Sequence, residues 1–151
     1  MDQIVTFSLD QRLYALPLNS VVRVIHAVYI SSLPKAPNIV CGVINVKGVI
    51  IPVVDIRKRF GLASREIESN DQLIIANTGK RTIAIMVDKV NEILAIDAGQ
   101  QINTREEMSY VGYIGGIAKI QDELVLIYDL ERFLDLDEEK RLEIALTDLT
   151  K

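Results

Sequence analysis

Apolar residues come in short runs over most of the chain, each run closed by a polar cluster or a Gly-containing turn. Runs of this length suit strands better than helices. Val and Ile dominate them, and both are stiff at χ1 and fit a pleated surface. The pattern also repeats, and repeats decide architecture before any single motif does. Residues 4–25 superpose on residues 73–94 at a shift of 69, which carries Ile4 onto Leu73. Arg12 then falls on Arg81, Ala15 on Ala84, Leu18 on Val87, Val21 on Val90, Val24 on Ile93 and Ile25 on Leu94. Both blocks read as strand, tight turn, strand, then a change of direction into a third strand. The first turn is Asp10-Gln11-Arg12 and the second Asn77-Thr78-Gly79-Lys80.

A second pair of blocks, 42–56 and 116–130, superposes at a shift of 74, Gly42 onto Gly116. Each is a hairpin with an apolar strand, a polar turn (Lys47-Gly48 or Gln121-Asp122) and an apolar strand ending in Asp. Asp55 and Asp129 precede short amphipathic stretches, 56–60 and 130–134, and read as N-caps for them. The shift grows because a polar connector over 99–109 is longer than its counterpart over 31–37, where Pro34 and Pro37 impose an extended path. Residues 63–72 are polar and separate the two copies.

Five short antiparallel strands per copy make a poor sandwich but close into a small barrel, which removes exposed edges. The expected fold is therefore all-β: two pseudo-symmetric five-stranded barrels packed side by side, over about 10–70 and 71–135. The N-terminal strand is free to be shared between them. After residue 135 the pattern changes. Asp137 is the expected cap of a helix over 137–149, with Glu138 and Glu139 in its first turn. Leu142, Ala145, Leu146 and Leu149 form its apolar stripe, packed on a barrel.

Composition narrows the function classes. The 151 residues carry a net charge of −4, against a basic nucleic-acid-binding surface, and Trp is absent. No apolar run approaches a membrane span and the N-terminus lacks a basic signal region, so a soluble cytoplasmic protein is expected. The single Cys41 reads as a small buried hydrophobe, and with the single His26 it cannot build a usual zinc site. Gly115-Gly116 is not a dinucleotide fingerprint, and Gly79-Lys80 lacks the upstream Gly of a phosphate loop. Catalytic residues, metal and cofactor are all expected to be absent, which leaves a binding module as the class. Its candidate contact follows from a local conflict. Residues 21–25 carry apolar side chains on both faces of one strand, and Val90 and Ile93 repeat the pattern. Val21, Val24, Val90 and Ile93 would line a groove where the barrels meet, unless that groove is closed core.

At these blocks the chain resembles the CheW family of chemotaxis coupling proteins. The match is carried by the segment over 42–57, Gly-Val-Ile-Asn-Val-Lys-Gly-Val-Ile-Ile-Pro-Val-Val-Asp-Ile-Arg. Tyr14-Ala15-Leu16-Pro17, Leu33-Pro34, Val87-Asp88-x-Val90 and Gly116-Ile117-Ala118 extend it. The resemblance implies two SH3-like barrels and a non-enzymatic scaffold that joins chemoreceptor tips to the histidine kinase CheA. It implies receptor contact at Val21, Val24, Asn45, Lys47 and Val90, to which Gly48 of the same turn and Ile93 of the repeat belong. Kinase contact is implied at Arg23, Ile30 and Cys41. Two positions depart from the family pattern: Lys47 stands where Arg is usual and Arg23 where Glu is common. Because the chain is too short for the fused relatives, a free-standing adaptor is expected, with a non-flagellar chemosensory pathway as a variant. A stand-alone barrel that binds a small ligand or another protein is the alternative from a different class.

Overall fold

The structure, a computed structural model, describes residues 2–96, 101–102 and 114–149. Eleven strands form two sheets: β1 Asp2–Leu9, β2 Arg12–Pro17, β3 Val21–His26, β4 Val40–Val46, β5 Val49–Val54, β6 Gln72–Asn77, β7 Thr82–Val87, β8 Lys89–Ile96, β9 Gln101–Ile102, β10 Ile114–Ile120 and β11 Glu123–Tyr128. Helix α1 spans Ile56–Phe60 and α2 spans Leu136–Leu149. The first sheet runs β8-β1-β2-β11-β10-β9 and the second β3-β6-β7-β5-β4. Apart from the two-residue β9, the two orders are the same under the repeat. β4 maps residue for residue onto β10, and β5 onto β11, at the shift of 74.

The spatial halves are not the contiguous stretches 10–70 and 71–135. Hairpin β1–β2 pairs with β8 and β11, whereas hairpin β6–β7 pairs with β3 and β5. Each copy has given its first hairpin to the other. Chain length dictates the exchange. Within one copy β2 and β3 would lie parallel in the same sheet on either side of β1, and parallel strands need a crossover of a dozen or more residues. Only the helical turn Leu18–Ser20 joins them. Asp88 alone joins β7 to β8.

Each sheet curls. Ser31 bridges Val43 on the outer edge of β4, its N–H donating to the Val43 carbonyl at 2.9 Å and its carbonyl accepting from Val43 at 2.8 Å. His26 and Ser31 are five residues apart, a reach of roughly 17 Å. Crossing a flat five-stranded sheet to that position would take roughly 24 Å. The sheet must roll to let the chain arrive. The first sheet repeats the device, with Ile102 of β9 paired to Ile117, the equivalent of Val43. Thus part of the connector expected as loop over 99–109 is strand; its other residues lie outside those described. The approach of Ser31 also explains Gly42. A Cβ there would stand 2.2 Å from the Ser31 carbonyl oxygen and 2.7 Å from Ile30 Cγ2.

The central hairpins are buried on both faces. In β6, Leu73 and Ile75 line the interior of the second sheet, while Ile74 and Ala76 point into a larger core between the sheets. That shared core also takes Phe7, Leu9, Tyr14 and Leu16 from β1–β2, and Leu142 and Ala145 from α2. Its aromatic members cluster where α1 meets β11, with the Phe60 and Tyr128 rings stacked at 4.0 Å between centroids. Two expectations need correction. Helix α2 is capped by Asp135, not Asp137: Glu138 N–H donates to Asp135 Oδ1 (2.8 Å) and Asp135 N–H to Glu138 Oε1 (2.9 Å), a reciprocal capping box. Leu149, expected in the buried stripe, is exposed.

Candidate interaction site

The candidate residues fall on the edge strands and on one hairpin tip. Val21 and Val24 lie on β3, the edge of the second sheet; Val90 and Ile93 hold the equivalent places on β8, the edge of the first. A β-bulge at the start of each strand, between Val21 and Arg23 and between Val90 and Ile93, breaks strict alternation. The bulges split the four valine and isoleucine positions into two kinds. Val21 and Val90 are partly buried against the shared core. Val24 (38 % exposed) and Ile93 (58 % exposed) face outward. Val22 on the same strand and Val28 and Tyr29 in the segment after it are also exposed, Tyr29 the most open at 85 %. Ile50 and Leu124, related by the shift of 74, are also both exposed. The repeat contained this last signal, because strand positions that stay apolar in both copies are either core or surface used twice.

The β4–β5 tip carries Asn45, Lys47 and Gly48. Lys47 and Gly48 have φ of 50° and 87°, a two-residue turn with both residues left-handed. Asn45 Oδ1 accepts from Gly48 N–H at 2.8 Å and locks the turn. Asn45 and Gly48 therefore have structural duties in the tip. Lys47 is exposed and forms no ion pair among the described residues. Register puts this tip at the same end of the second sheet as Val21, since β5 runs parallel to β7 and Val21 pairs with Ala76 near the β6–β7 turn.

The second candidate group lies along the two edges of the second sheet. Ile30 packs on the interior of the second sheet and lies beside Gly42, so the Ser31 bridge brings it near Cys41 on β4. Arg23 sits on β3, exposed, at the opposite end of the strand order. Cys41 is an exposed residue, contrary to expectation, because the strand's inward places are taken by Val40, Val43 and Ile44. Its thiol donates to the Val53 carbonyl (3.4 Å). Desolvation and the nearby Asp55 carboxylate push that thiol up to about 11, so it is a protonated, weak nucleophile at neutral pH.

The residues that give the sequence its most recognisable motif serve elsewhere. Asp55 caps α1, accepting from Arg57 and Lys58 N–H, as Asp129 accepts from Glu131 N–H in the second copy. Arg57 is only 2 % exposed, and its guanidinium donates to Asp10 Oδ1 (2.9 Å) and Asp88 Oδ1 (2.7 Å). Arg65, in the segment read as a plain linker, forks onto Asp71 (2.7 and 2.8 Å) and also reaches Asp88. Burial pushes the Asp88 carboxyl up, but the Asp10 N–H and the two guanidiniums outweigh it and hold it below the usual carboxylate range. Asp71 is likewise held low by Arg65 against its burial. Among the described residues no group of three or more His, Cys, Asp or Glu is arranged to hold a metal ion, and no helix is long and apolar enough to cross a membrane.

Comparison with known proteins agrees with this architecture. Residues 3–138 match the family model described as CheW-like domain. The chemotaxis protein CheW of Klebsiella aerogenes is 26 % identical over 135 residues, covering 87 % of this chain and 81 % of its own. That of Thermotoga maritima is 27 % identical over 133 residues, 88 % of this chain and 87 % of its own. The crystal structure of the scaffolding protein TtCheW from Thermoanaerobacter tengcongensis superposes with a TM-score of 0.77 at 31 % identity, covering 91 % of this chain and 94 % of that one. With the family model matched over residues 3–138 and a solved scaffolding protein superposed over 91 % of the chain, this protein belongs to the CheW-like domain family.

Proposed function

We propose that the chain is a non-enzymatic cytoplasmic scaffold that couples chemoreceptor tips to the regulatory domain of the histidine kinase CheA. The observation that carries this reading is the pairing of family membership with apolar side chains left exposed at equivalent places on both edge strands, Val24 and Ile93. Singly exposed apolar residues mean little, but a patch repeated on both halves fits a partner that spans them. The receptor then contacts Val24 and Ile93, with Val21 and Val90 as the floor behind them and Asn45, Lys47 and Gly48 as the flank. The kinase docks on one half at Arg23, Ile30 and Cys41. Arg23 and Lys47 are exposed cations with no ion pair among the described residues, which favours partners that present acidic groups opposite them.

Titration against a receptor cytoplasmic fragment and, separately, against the kinase regulatory domain tests the reading. Val24→Asp should weaken receptor binding by about 2–4 kcal/mol, the cost of an unpaired charge in a desolvated contact. Circular dichroism should be unchanged, because Val24 is exposed. A wild-type protein that binds neither partner would refute the function; a Val24→Asp protein that binds the receptor normally would refute the site.

A further inference from the structure

We infer that Arg57 is a positioning residue: with Asp10, Asp88 and Arg65 it latches the two exchanged halves at the angle a partner spanning both requires. The inference rests on the scaffold reading above and adds a residue that touches no partner. The geometry is specific. Arg57 is delivered by α1, directly after β5 of the second sheet. One of its terminal nitrogens holds Asp10, the tip of the β1–β2 hairpin that belongs to the first sheet. The other holds Asp88, the single residue between β7 of the second sheet and β8 of the first. Asp88 closes the ring, since its Oδ2 accepts from Asp10 N–H at 2.8 Å and its own N–H donates to the Ser8 carbonyl at 3.0 Å. Arg65 ties the segment between the copies to the same carboxylate and to Asp71, the residue before β6.

A planar fork reaching two carboxylates fixes angles as well as distance, which a lysine does not. The latch sits where β8 begins, and β8 carries Val90 and Ile93 while β3, in the other sheet, carries Val21 and Val24. Loosening it changes the angle between the two edge strands without touching either. A partner confined to one half would not register the change; a partner bridging both would.

The test uses the full chain with Asp88→Asn and Arg57→Lys, each with circular dichroism as folding control, and Arg65→Gln in the more open part of the cluster should both fail to fold. Affinity for the receptor fragment should fall about tenfold, a usual size for coupling through a two-body arrangement. Affinity for the kinase regulatory domain should stay within about twofold, because that partner docks on one half and does not read the angle between them. Independently of any partner, spin labels at Val49→Cys and Leu124→Cys in a Cys41→Ser background should give a broader distance distribution in the latch variants. Equal loss of both affinities would mark the cluster as general stability and overturn the proposal, as would no loss of either. If the unaltered protein bound neither partner, the scaffold reading would fail, and the label distances alone would decide the latch: broadened supports it, unchanged overturns it.

Discussion

Lys47 is held at φ 50°, in the left-handed region that Asn, Asp and Gly tolerate better than a long side chain does. The turn needs left-handed residues at both central positions, and Gly48 is well suited to its own. Lys47 is not, so its presence is not explained by the turn. Its side chain is exposed and forms no ion pair among the described residues, and under the proposed function it serves receptor recognition. The backbone then supplies a test with opposite signs. Lys47→Asn should raise stability by roughly 0.5–1 kcal/mol, by easing the left-handed strain. The same change should weaken receptor binding by about 1–2 kcal/mol, the size of a charged hydrogen bond. Lys47→Ala should show the binding loss with almost no change in melting temperature, since exposed cations add little. If denaturant melts show Lys47→Asn to be destabilising, the turn depends on the lysine and the separation of roles fails.

Elements obey the same local rules, and α2 shows how. Asp135 and Glu138 satisfy each other's backbone N–H groups, and Glu138 also receives Arg59 through both oxygens at 2.7 and 2.8 Å. Asp135→Ala should therefore cost about 1 kcal/mol, within the usual range for a lost cap. Faster amide exchange confined to the first turn of α2 would accompany it; exchange spread evenly over the helix would contradict a capping role. The pattern Asp135-x-x-Glu138 was there to be read, whereas Asp137 has Lys140 three residues on and no reciprocal acceptor. The strands were legible for a stronger reason. The turns at Asp10-Gln11, Lys47-Gly48 and Gln121-Asp122 all have left-handed central residues, which fixes hairpin register locally, so a shift found in sequence transfers directly to structure. The outward pair Val24 and Ile93 could be placed on equivalent edges by the same shift. The ionic cluster could not be seen, because Arg57 stands 47 residues from Asp10 and 31 from Asp88, and no local pattern joins them. Nor did the alternation of residues in β3 show that a bulge would divide Val21 from Val24 in burial.

At the scale of the molecule, two features bind the halves together. One is charge. Asp71 and Asp88 are held below the usual carboxylate range in the folded protein, so the stability they contribute is complete above their unfolded value of about 3.9 and is lost as pH falls towards their folded values. Urea midpoints should fall between pH 6 and pH 3, and Asp88→Asn should flatten that slope; an unchanged slope would show that other carboxylates govern acid unfolding. The other feature is topology. Among the described strands β3 pairs with β6 alone and β4–β5 joins the sheet at β7, while β1–β2 depends on β8 and β11. The repeat makes β1–β2 a chemical substitute for β6–β7, so a half could in principle complete itself. The connection forbids this: β2 and β3 would have to run parallel, and the chain would have to return roughly 20 Å along the strand. From Pro17 to Val21 it reaches only about 14 Å. Cutting the chain between Ser69 and Asn70, both exposed, should therefore give two fragments that do not fold alone. Each would hold hairpins without their neighbouring strands, and isolated hairpins are at best marginally stable. Mixed in equimolar amounts, the fragments should recover the strand signal in circular dichroism and a cooperative melt. A cooperative melt by either fragment as a monomer would show that a half can close on its own hairpin, and that the short connection does not impose the exchange.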